Sequence, residues 1–400
     1  MPIKILQITN KPAYPSIDGG CLGMAKMSDF YSSNPDFDLD ILTLETFKHS
    51  FNEQVFKNSI PGKAKVYYVK IDTKPNAFGA IKALISNKSY NLTRFKSIAF
   101  ENKLKDLLKE NNYDIIQLEN IFVAQYIALI RKHSTAKIIL NSANIEYEIW
   151  QRMSGKYSYV KNKYFGKLAT QLKVEEEILW KQTDGIICAT DKDKAMISEV
   201  VNSEKLITLP FYLNISKYKV VQEIGNPPSF FHIGAMDWLP NVEGIDWFLN
   251  SIWSKLKVDS VFNIAGKGML ARFKKLSSTN LVVSGFVDDA LEFMENHDVM
   301  IVPLLSGSGI RVKIIEAMAI GKCVISTSIG AEGINCIDKK NILIADTEDE
   351  FITVIHSLIS NPKTIMEIGV EARLLIENEH DISLMGSELS EFINQTLNIG

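Results

Sequence analysis

Ser306, Gly307, Ser308 and Gly309 form a run of small residues that ends two positions before Arg311, four before Lys313 and seven before Glu316. Small residues let backbone N–H groups approach a ligand, and a helix starting just beyond adds unpaired donors and the positive end of its dipole. That combination suits a phosphate. Lys313 and Glu316 stand three apart, so on a helix they share a face, while Ile314, Ile315 and Met318 suit the core. The ammonium would neutralise diphosphate charge and the carboxylate would accept two hydrogen bonds from ribose hydroxyls. Arg311 is about 200° of helical rotation from Lys313, so both reach one phosphate only if the first turn is irregular. Lys313 ranks above Arg311 for that reason. On spacing alone, Lys313 and Glu316 read equally well as an exposed ion pair worth a few tenths of a kcal/mol.

Such a loop needs strands to aim it. Short β-branched runs alternate with helical patterns along the whole chain, the signature of βαβ units and parallel sheets. Strands are expected at Ile3 to Ile8, Leu39 to Leu44, Val66 to Ile71, Ile115 to Leu118, Lys137 to Leu140, Gly185 to Cys188 and Leu206 to Thr208. After the break at Gly225, Pro227 and Pro228, a second series follows at Phe230 to Ile233, Val261 to Ala265, Leu281 to Val283, Val299 to Pro303, Val324 to Ser326 and Ile342 to Ile344. The expected fold class is α/β, with two Rossmann-like, doubly wound domains facing a central cleft. Their expected bounds are residues 1–212, completed by the C-terminal helix 382–400, and residues 229–380, with a linker at 213–228. Ligands of open parallel sheets gather beyond the C-terminal strand ends, where Gly234, the Gly266, Lys267, Gly268 turn and the Gly285, Phe286, Val287 loop lie.

The segment Leu304 to Ile334 resembles the donor-binding motif of GT-B glycosyltransferases of family 4, which carry two glutamates eight positions apart. Glu316, followed by Ala317, Met318, Ala319 and Gly321, matches the second glutamate and its EAMAxG setting. Ser308 stands where the first, sugar-contacting glutamate would be, and the resemblance places Ser308, Gly309 and Ile310 against the donor. FHIGAMDWLPNVEGIDWF is similar to a GxMDWxPN segment of this branch, with Gly234 ending the strand and Asn241 expected as the N-cap of the next helix. Many relatives hold the diphosphate with an Arg and a Lys near here. This chain has neither between Gly234 and Ile252, so Lys313, helped by Arg311, is expected to supply the charge. Phe286 and Val287 fall where the family reads the base through main-chain contacts, and Gly266 lies in a neighbouring pocket loop. Gly19 and Gly20 match the Gly-Gly element near donor and acceptor. On the acceptor and sugar side, NSANIEYEIW resembles an HNxE-type segment, keeping Asn144 and Glu146 with Ala143 in place of His, and Glu119 lies where a second histidine is missing. The resemblance implies a retaining, metal-independent transferase. It would use a UDP- or GDP-linked sugar as co-substrate, without a cofactor, and a glycan or lipid-linked acceptor in surface polysaccharide or glycoconjugate synthesis. The alternative is a catalytically inactive nucleotide-sugar-binding protein of the same fold.

The remaining composition removes other classes. A net charge of −3 gives no basic field for a nucleic-acid backbone. Six dispersed histidines show no ligand spacing, so no metal site is expected. Four cysteines without a CxxC pair fit buried thiols in a reducing cytoplasm, and the N-terminus lacks the features of a signal peptide. One region departs from the acidic average: Lys57 to Lys109 holds twelve Lys/Arg against three Asp/Glu, a net of +9, interleaved with Phe78, Ile81, Leu84, Ile85, Tyr90, Leu92 and Phe95. It is expected as a solvated face or a peripheral contact with anionic membrane at the inner face of the plasma membrane.

Overall fold

The computed structural model describes residues 2–398 except 75, 87, 155–158, 221, 222 and 308. All thirteen expected strands are present, in two sheets of seven and six. The first sheet comprises β1 (Ile3–Thr9), β2 (Phe37–Glu45), β3 (Ala64–Lys70), β4 (Ile115–Glu119), β5 (Lys137–Ser142), β6 (Gly185–Cys188) and β7 (Leu206–Thr208), in the order β3-β2-β1-β4-β5-β6-β7. The second comprises β8 (Phe230–Ile233), β9 (Phe262–Ala265), β10 (Leu281–Gly285), β11 (Val299–Val302), β12 (Cys323–Ser326) and β13 (Leu343–Ile344), in the order β10-β9-β8-β11-β12-β13. Every pairing between these strands is parallel. Strand order reverses beside β1 in one sheet and beside β8 in the other, so each has a switch point at which the flanking loops diverge.

These strands are apolar almost throughout because helices cover both faces of each sheet. In the second sheet, Phe230, Phe262, Ile264, Val299 and Ile301 face one core, and their neighbours Phe231, Ile233, Ala265, Met300 and Val302 face another. Helix starts follow local chemistry. Asp18 caps Gly19–Ser33, Ser97 caps Ile98–Glu110, Thr190 caps Asp191–Ser198, and Thr347 with Glu350 forms a capping box for Glu348–Ser360.

The chain divides into two compact units, Met1–Pro210 with Gly386–Gly400, and Phe211–Met385. The described residues of the stretch expected as a linker, 213–228, belong to the second unit. Leu213 bridges to Asp381, its N–H donates to the His380 carbonyl at 2.7 Å, and the His380 Nδ1–H donates to Phe211 O at 2.7 Å. Ile215 is buried there. Polar composition concealed this role because the few apolar side chains, Leu213 and Ile215, supply the packing. The helix Ile382–Leu397 begins in the second unit and from Gly386 packs on the first, with Leu389, Phe392 and Ile393 buried. Gly185 accommodates it: a Cβ there would lie 2.9 Å from the Phe392 ring.

Phe392→Ala should destabilise the first unit by about 3 kcal/mol through the cavity it leaves beside β6. Urea unfolding followed by circular dichroism checks this, with an unchanged midpoint as the failing result.

Candidate functional site

Three strand ends in the second unit converge through glycine. Gly266 has φ +152°, and a Cβ on it would lie 1.7 Å from the carbonyl oxygen of Gly234. Gly234 N–H donates to Ala265 O at 3.2 Å, Gly266 N–H to Gly285 O at 2.7 Å, and Met236 N–H to Lys267 O at 2.7 Å. Gly268 takes φ +72° against Asp237. The loops after β8, β9 and β10 therefore form one backbone-lined floor at the C-terminal edge of the sheet. Asn241 does not cap the following helix as expected. Leu239–Trp247 begins earlier, with Trp238 at the N-cap, and Asn241 is a buried helical residue whose amide donates to Ala235 O at 2.9 Å. Pro240 sets this earlier start, since proline fits the first turn. His232 is buried and neutral, its Nδ1–H donating to Ile301 O at 2.9 Å and burial pushing its pKa down to about 4.

The small-residue loop follows β11. Gly307 and Gly309 have φ +122° and +77°, which L side chains rarely adopt. Ser306 Oγ donates to Glu243 Oε2 at 3.0 Å, tying the loop to the helix Leu239–Trp247. Ser308 lies outside the described residues. Arg311 is the N-cap of the helix Val312–Ala319 with non-helical backbone angles, so helical rotation does not set its direction relative to Lys313. Its guanidinium folds back over the loop: Nη1 donates to Gly309 O at 2.6 Å and the group stacks 5.7 Å from the Trp238 ring. A Cβ at Gly307 would meet Arg311 at 2.7 Å and Trp238 at 3.2 Å. Arg311 thus braces the loop, and half-buried Ile310 packs on the core beneath it.

On Val312–Ala319 the expected face is realised. Ile314, Ile315 and Met318 are fully buried, and Lys313 Nζ meets Glu316 Oε2 at 2.8 Å. Glu316 is only 8% exposed, and its other oxygen accepts from Tyr218 Oη at 3.3 Å. Burial, then the neighbouring carboxylate, pushes the Tyr218 phenol well above its usual range. Tyr218 carries no motif, so sequence reasoning passed over it. Phe286 is 66% exposed and is no core residue, whereas Val287 packs on the core.

In the first unit, Gly19 and Gly20 are the first residues of a helix capped by Asp18. Asp18 accepts from Cys21 N–H at 2.8 Å, from Lys11 Nζ at 2.7 and 2.8 Å, and from His49 Nε2 at 3.0 Å. Burial opposes its ionisation, but the hydrogen bonds from His49 and Lys11 hold its carboxyl far below the usual range. Among the described residues, Asp18, Cys21 and His49 are the one group with three ligand-type atoms mutually within 4.8 Å. Lys11 already faces both Asp18 oxygens, and burial pushes the Cys21 thiol up to about 12, so the group is constructed as an ion-pair cluster.

Glu119 ends β4 and is buried, accepting from Gln7 at 2.7 Å, Gln117 at 2.6 Å and Asn141 at 2.7 Å. Burial pushes its carboxyl up to about 6 despite those amides, and the network stitches β1, β4 and β5 together. Asn144 is half-buried, its carbonyl accepting from Ser142 Oγ at 3.3 Å. Glu146 opens the helix Glu146–Met153. Burial pushes its carboxyl up to about 7, while Arg94 and a hydrogen bond from Asn120 pull the other way. Asn120 has φ +82°, uncommon for a non-glycine residue. Beneath it, fully buried Glu176 accepts from the N–H groups of Glu146 at 3.0 Å and Tyr147 at 2.8 Å, and so caps that helix from another one, Tyr159–Lys181. Burial and the adjacent Glu146 push Glu176 up as well. The run Glu175, Glu176, Glu177 reads as a solvated face in sequence, which hid this role.

Residues 227–361 match the family described as Glycosyl transferases group 1. A Klebsiella pneumoniae protein named "uncharacterized 44.6 kDa protein in cps region" is 23% identical over 94% of this chain and 96% of its own length. Sucrose-phosphate synthase from Thermosynechococcus elongatus superposes with a TM-score of 0.76 at 12% identity, covering 100% of both chains. Anabaena HepE, solved in complex with UDP-glucose, superposes with a TM-score of 0.68 at 14% identity over 98% of this chain and 99% of its own. These structures share the GT-B fold, here two parallel sheets with alternating helices.

Gly266→Ala should cost roughly 3 kcal/mol or more, because it forces a side chain into a glycine-only conformation against backbone. Chemical denaturation tests it, and a loss below about 1 kcal/mol would contradict the close approach. A second expectation concerns pH. The folded chain keeps Glu146 protonated up to about 7, whereas an ordinary carboxyl releases its proton near 4.5. The stability it contributes is therefore full below about 4.5 and lost as pH rises through about 7. Glu146→Gln should flatten the fall in melting temperature across that window, and an unchanged slope would refute the assignment.

Proposed function

The chain is a glycosyltransferase with a group 1 domain at residues 227–361, and from that premise we propose a retaining, metal-independent transfer from a UDP- or GDP-linked sugar to a glycan or lipid-linked acceptor. The observation that carries this reading is the Lys313, Glu316 and Tyr218 cluster beside a small-residue loop at the sheet's switch point. Glu316 is nearly buried yet held by one long hydrogen bond and one half-exposed lysine, partners that ribose hydroxyls can replace. Lys313, released from Glu316, then faces the diphosphate. The glycine floor of Gly234, Gly266 and the Gly285–Val287 loop leaves room for the nucleoside and offers backbone groups to the base. HepE, the Anabaena relative in fold, is solved with UDP-glucose, which supports a nucleotide-sugar donor.

In the proposed step the bond between the sugar C1 and the diphosphate oxygen breaks as C1 bonds to the acceptor oxygen on the same face. The acceptor proton passes to the departing diphosphate. Lys313 and backbone N–H groups at the start of Val312–Ala319 stabilise the charge developing on the leaving group. Arg311 acts through the loop it braces. In the first unit, Gly19, Gly20, Asn144 and Glu146 are assigned to the sugar and acceptor side, with Glu119 positioning the strand ends behind them. The cps-region relative supports surface polysaccharide synthesis as the setting, and the cytoplasmic face of the membrane is part of the proposal.

A thermal-shift titration with UDP, GDP, ADP and CMP tests the donor assignment. One uridine or guanosine diphosphate should stabilise the wild type. Glu316→Gln and Lys313→Ala should each weaken its affinity about 10- to 100-fold, the loss of one or two charged hydrogen bonds. If no nucleotide stabilises the protein, or both variants respond as the wild type does, the donor site lies elsewhere. Nucleotide binding without turnover on any acceptor would favour the inactive binding protein.

A further inference from the structure

The basic stretch from Lys57 to Lys109 does not form one face. Lys57 pairs with Glu53 at 2.6 Å, Lys70 with Glu45 at 3.1 Å and Lys96 with Glu101 at 3.9 Å, and Lys103 lies 4.5 Å over the Tyr67 ring. Tyr90, Leu92 and Phe95, read from sequence as interleaved apolar residues, are buried, while the side chains of Ile81 and Leu84 lie outside the described set. What remains is one helix, Ala77–Ile85. Phe78 and Ile85, 81% and 82% exposed, are the two most exposed large apolar side chains among the described residues. They stand seven apart with exposed Lys82 between them, so the three fall within an arc of about 60°. Ala83 is turned inward and buried.

A second element completes this face. Ile85 lines a shallow depression together with Lys163, Tyr164 and Lys167 of the helix Tyr159–Lys181. The two segments are joined by Ser89 N–H donating to Glu175 Oε2 at 2.9 Å. The carboxylate at this junction, Glu175, is engaged by that bond and lies near Lys88. Residues 73–100 hold five Lys/Arg and no Asp/Glu, and residues 149–174 hold six and none. Two acid-free stretches, far apart in the chain, are thus brought to one surface that also presents bare aromatic and aliphatic side chains.

We propose that Phe78, Ile85 and the lysines framing them, Lys82, Lys163 and Lys167, dock the first unit on an anionic lipid bilayer. Phe78 and Ile85 enter the acyl boundary, and the lysine stems lie along the apolar surface with their ammonium groups at the lipid headgroups. Charge selects this occupant over a second copy of the chain, which would bring the same positive field against itself. The surface rests on the lipid-linked acceptor reading only for its purpose, because lipid and nucleotide binding are measured separately.

The test is co-sedimentation of the full chain with vesicles of equimolar phosphatidylcholine and phosphatidylglycerol, and with vesicles of phosphatidylcholine alone. The wild type should sediment with the anionic vesicles only and be released by high salt. Each lysine near an anionic surface multiplies partitioning about fivefold, so K82Q/K163Q/K167Q should lower it about 100-fold. F78S/I85S should lower it at least about 10-fold. Both variants should keep the wild-type melting temperature and its shift with nucleotide. Failure of the wild type to sediment, equal binding to neutral vesicles, or wild-type partitioning by both variants would overturn the proposal. So would a self-association that Phe78→Ser abolishes in a protein that ignores vesicles, since it would give the face to a second copy.

Discussion

A carboxylate that is nearly buried must be paired, and Glu316 meets that demand with Tyr218 on one oxygen and Lys313 on the other. Much of the second unit follows from this requirement. Tyr218 reaches Glu316 only because residues 211–220 fold back onto the unit, secured by Leu213 and His380. The helix Val312–Ala319 holds its register because Ile314, Ile315 and Met318 fill the core behind it. Arg373 adds a further tie, donating to the carbonyls of Tyr218, at 2.8 Å, and Ala319. The result is a polar cluster held on a rigid helix, so that an exchange of side-chain partners, with no movement of the backbone, is all that the proposed ligand requires.

Close backbone approach is the second constraint. Gly234 and Gly266 bring two strand ends so near that no side chain fits between them, and Gly244 lets its helix lie against Pro303, where a Cβ would come within 2.4 Å of the carbonyl oxygen. Side-chain bulk is removed at these strand ends, which leaves backbone groups lining the proposed nucleotide site. The first unit is organised differently. Buried acids organise it, with Glu119 saturated by three amides at the end of β4 and Glu176, on a helix, serving as a remote cap beneath Glu146.

The sheets were legible because strands covered on both faces are apolar runs bounded by Gly, Pro and polar turns, and all thirteen were found where those runs lie. That Lys313 and Glu316 share one helix face was legible from helical spacing. What the sequence hid depended on tertiary partners. The turn of Arg311 toward Trp238 is set by a loop conformation that only glycine at positions 307 and 309 permits. Asn241 has the composition of a cap, but Pro240 starts the helix before it. The basic region misleads for a related reason: a count along the chain cannot distinguish lysines paired on separate elements from those on one face. The partner stretch at residues 149–174 becomes relevant only once the fold brings the helices together.

The central claim is that Glu316 and Lys313 form a ribose and diphosphate clamp. A crystal structure of the protein with its stabilising nucleoside diphosphate tests it most directly. The account predicts both ribose hydroxyls within hydrogen-bond distance of the Glu316 carboxylate, Lys313 moved from Glu316 to a phosphate oxygen, and the base against the Gly285–Val287 backbone. A nucleotide bound elsewhere, or one bound with the Lys313–Glu316 ion pair intact and the ribose held by other residues, would contradict it.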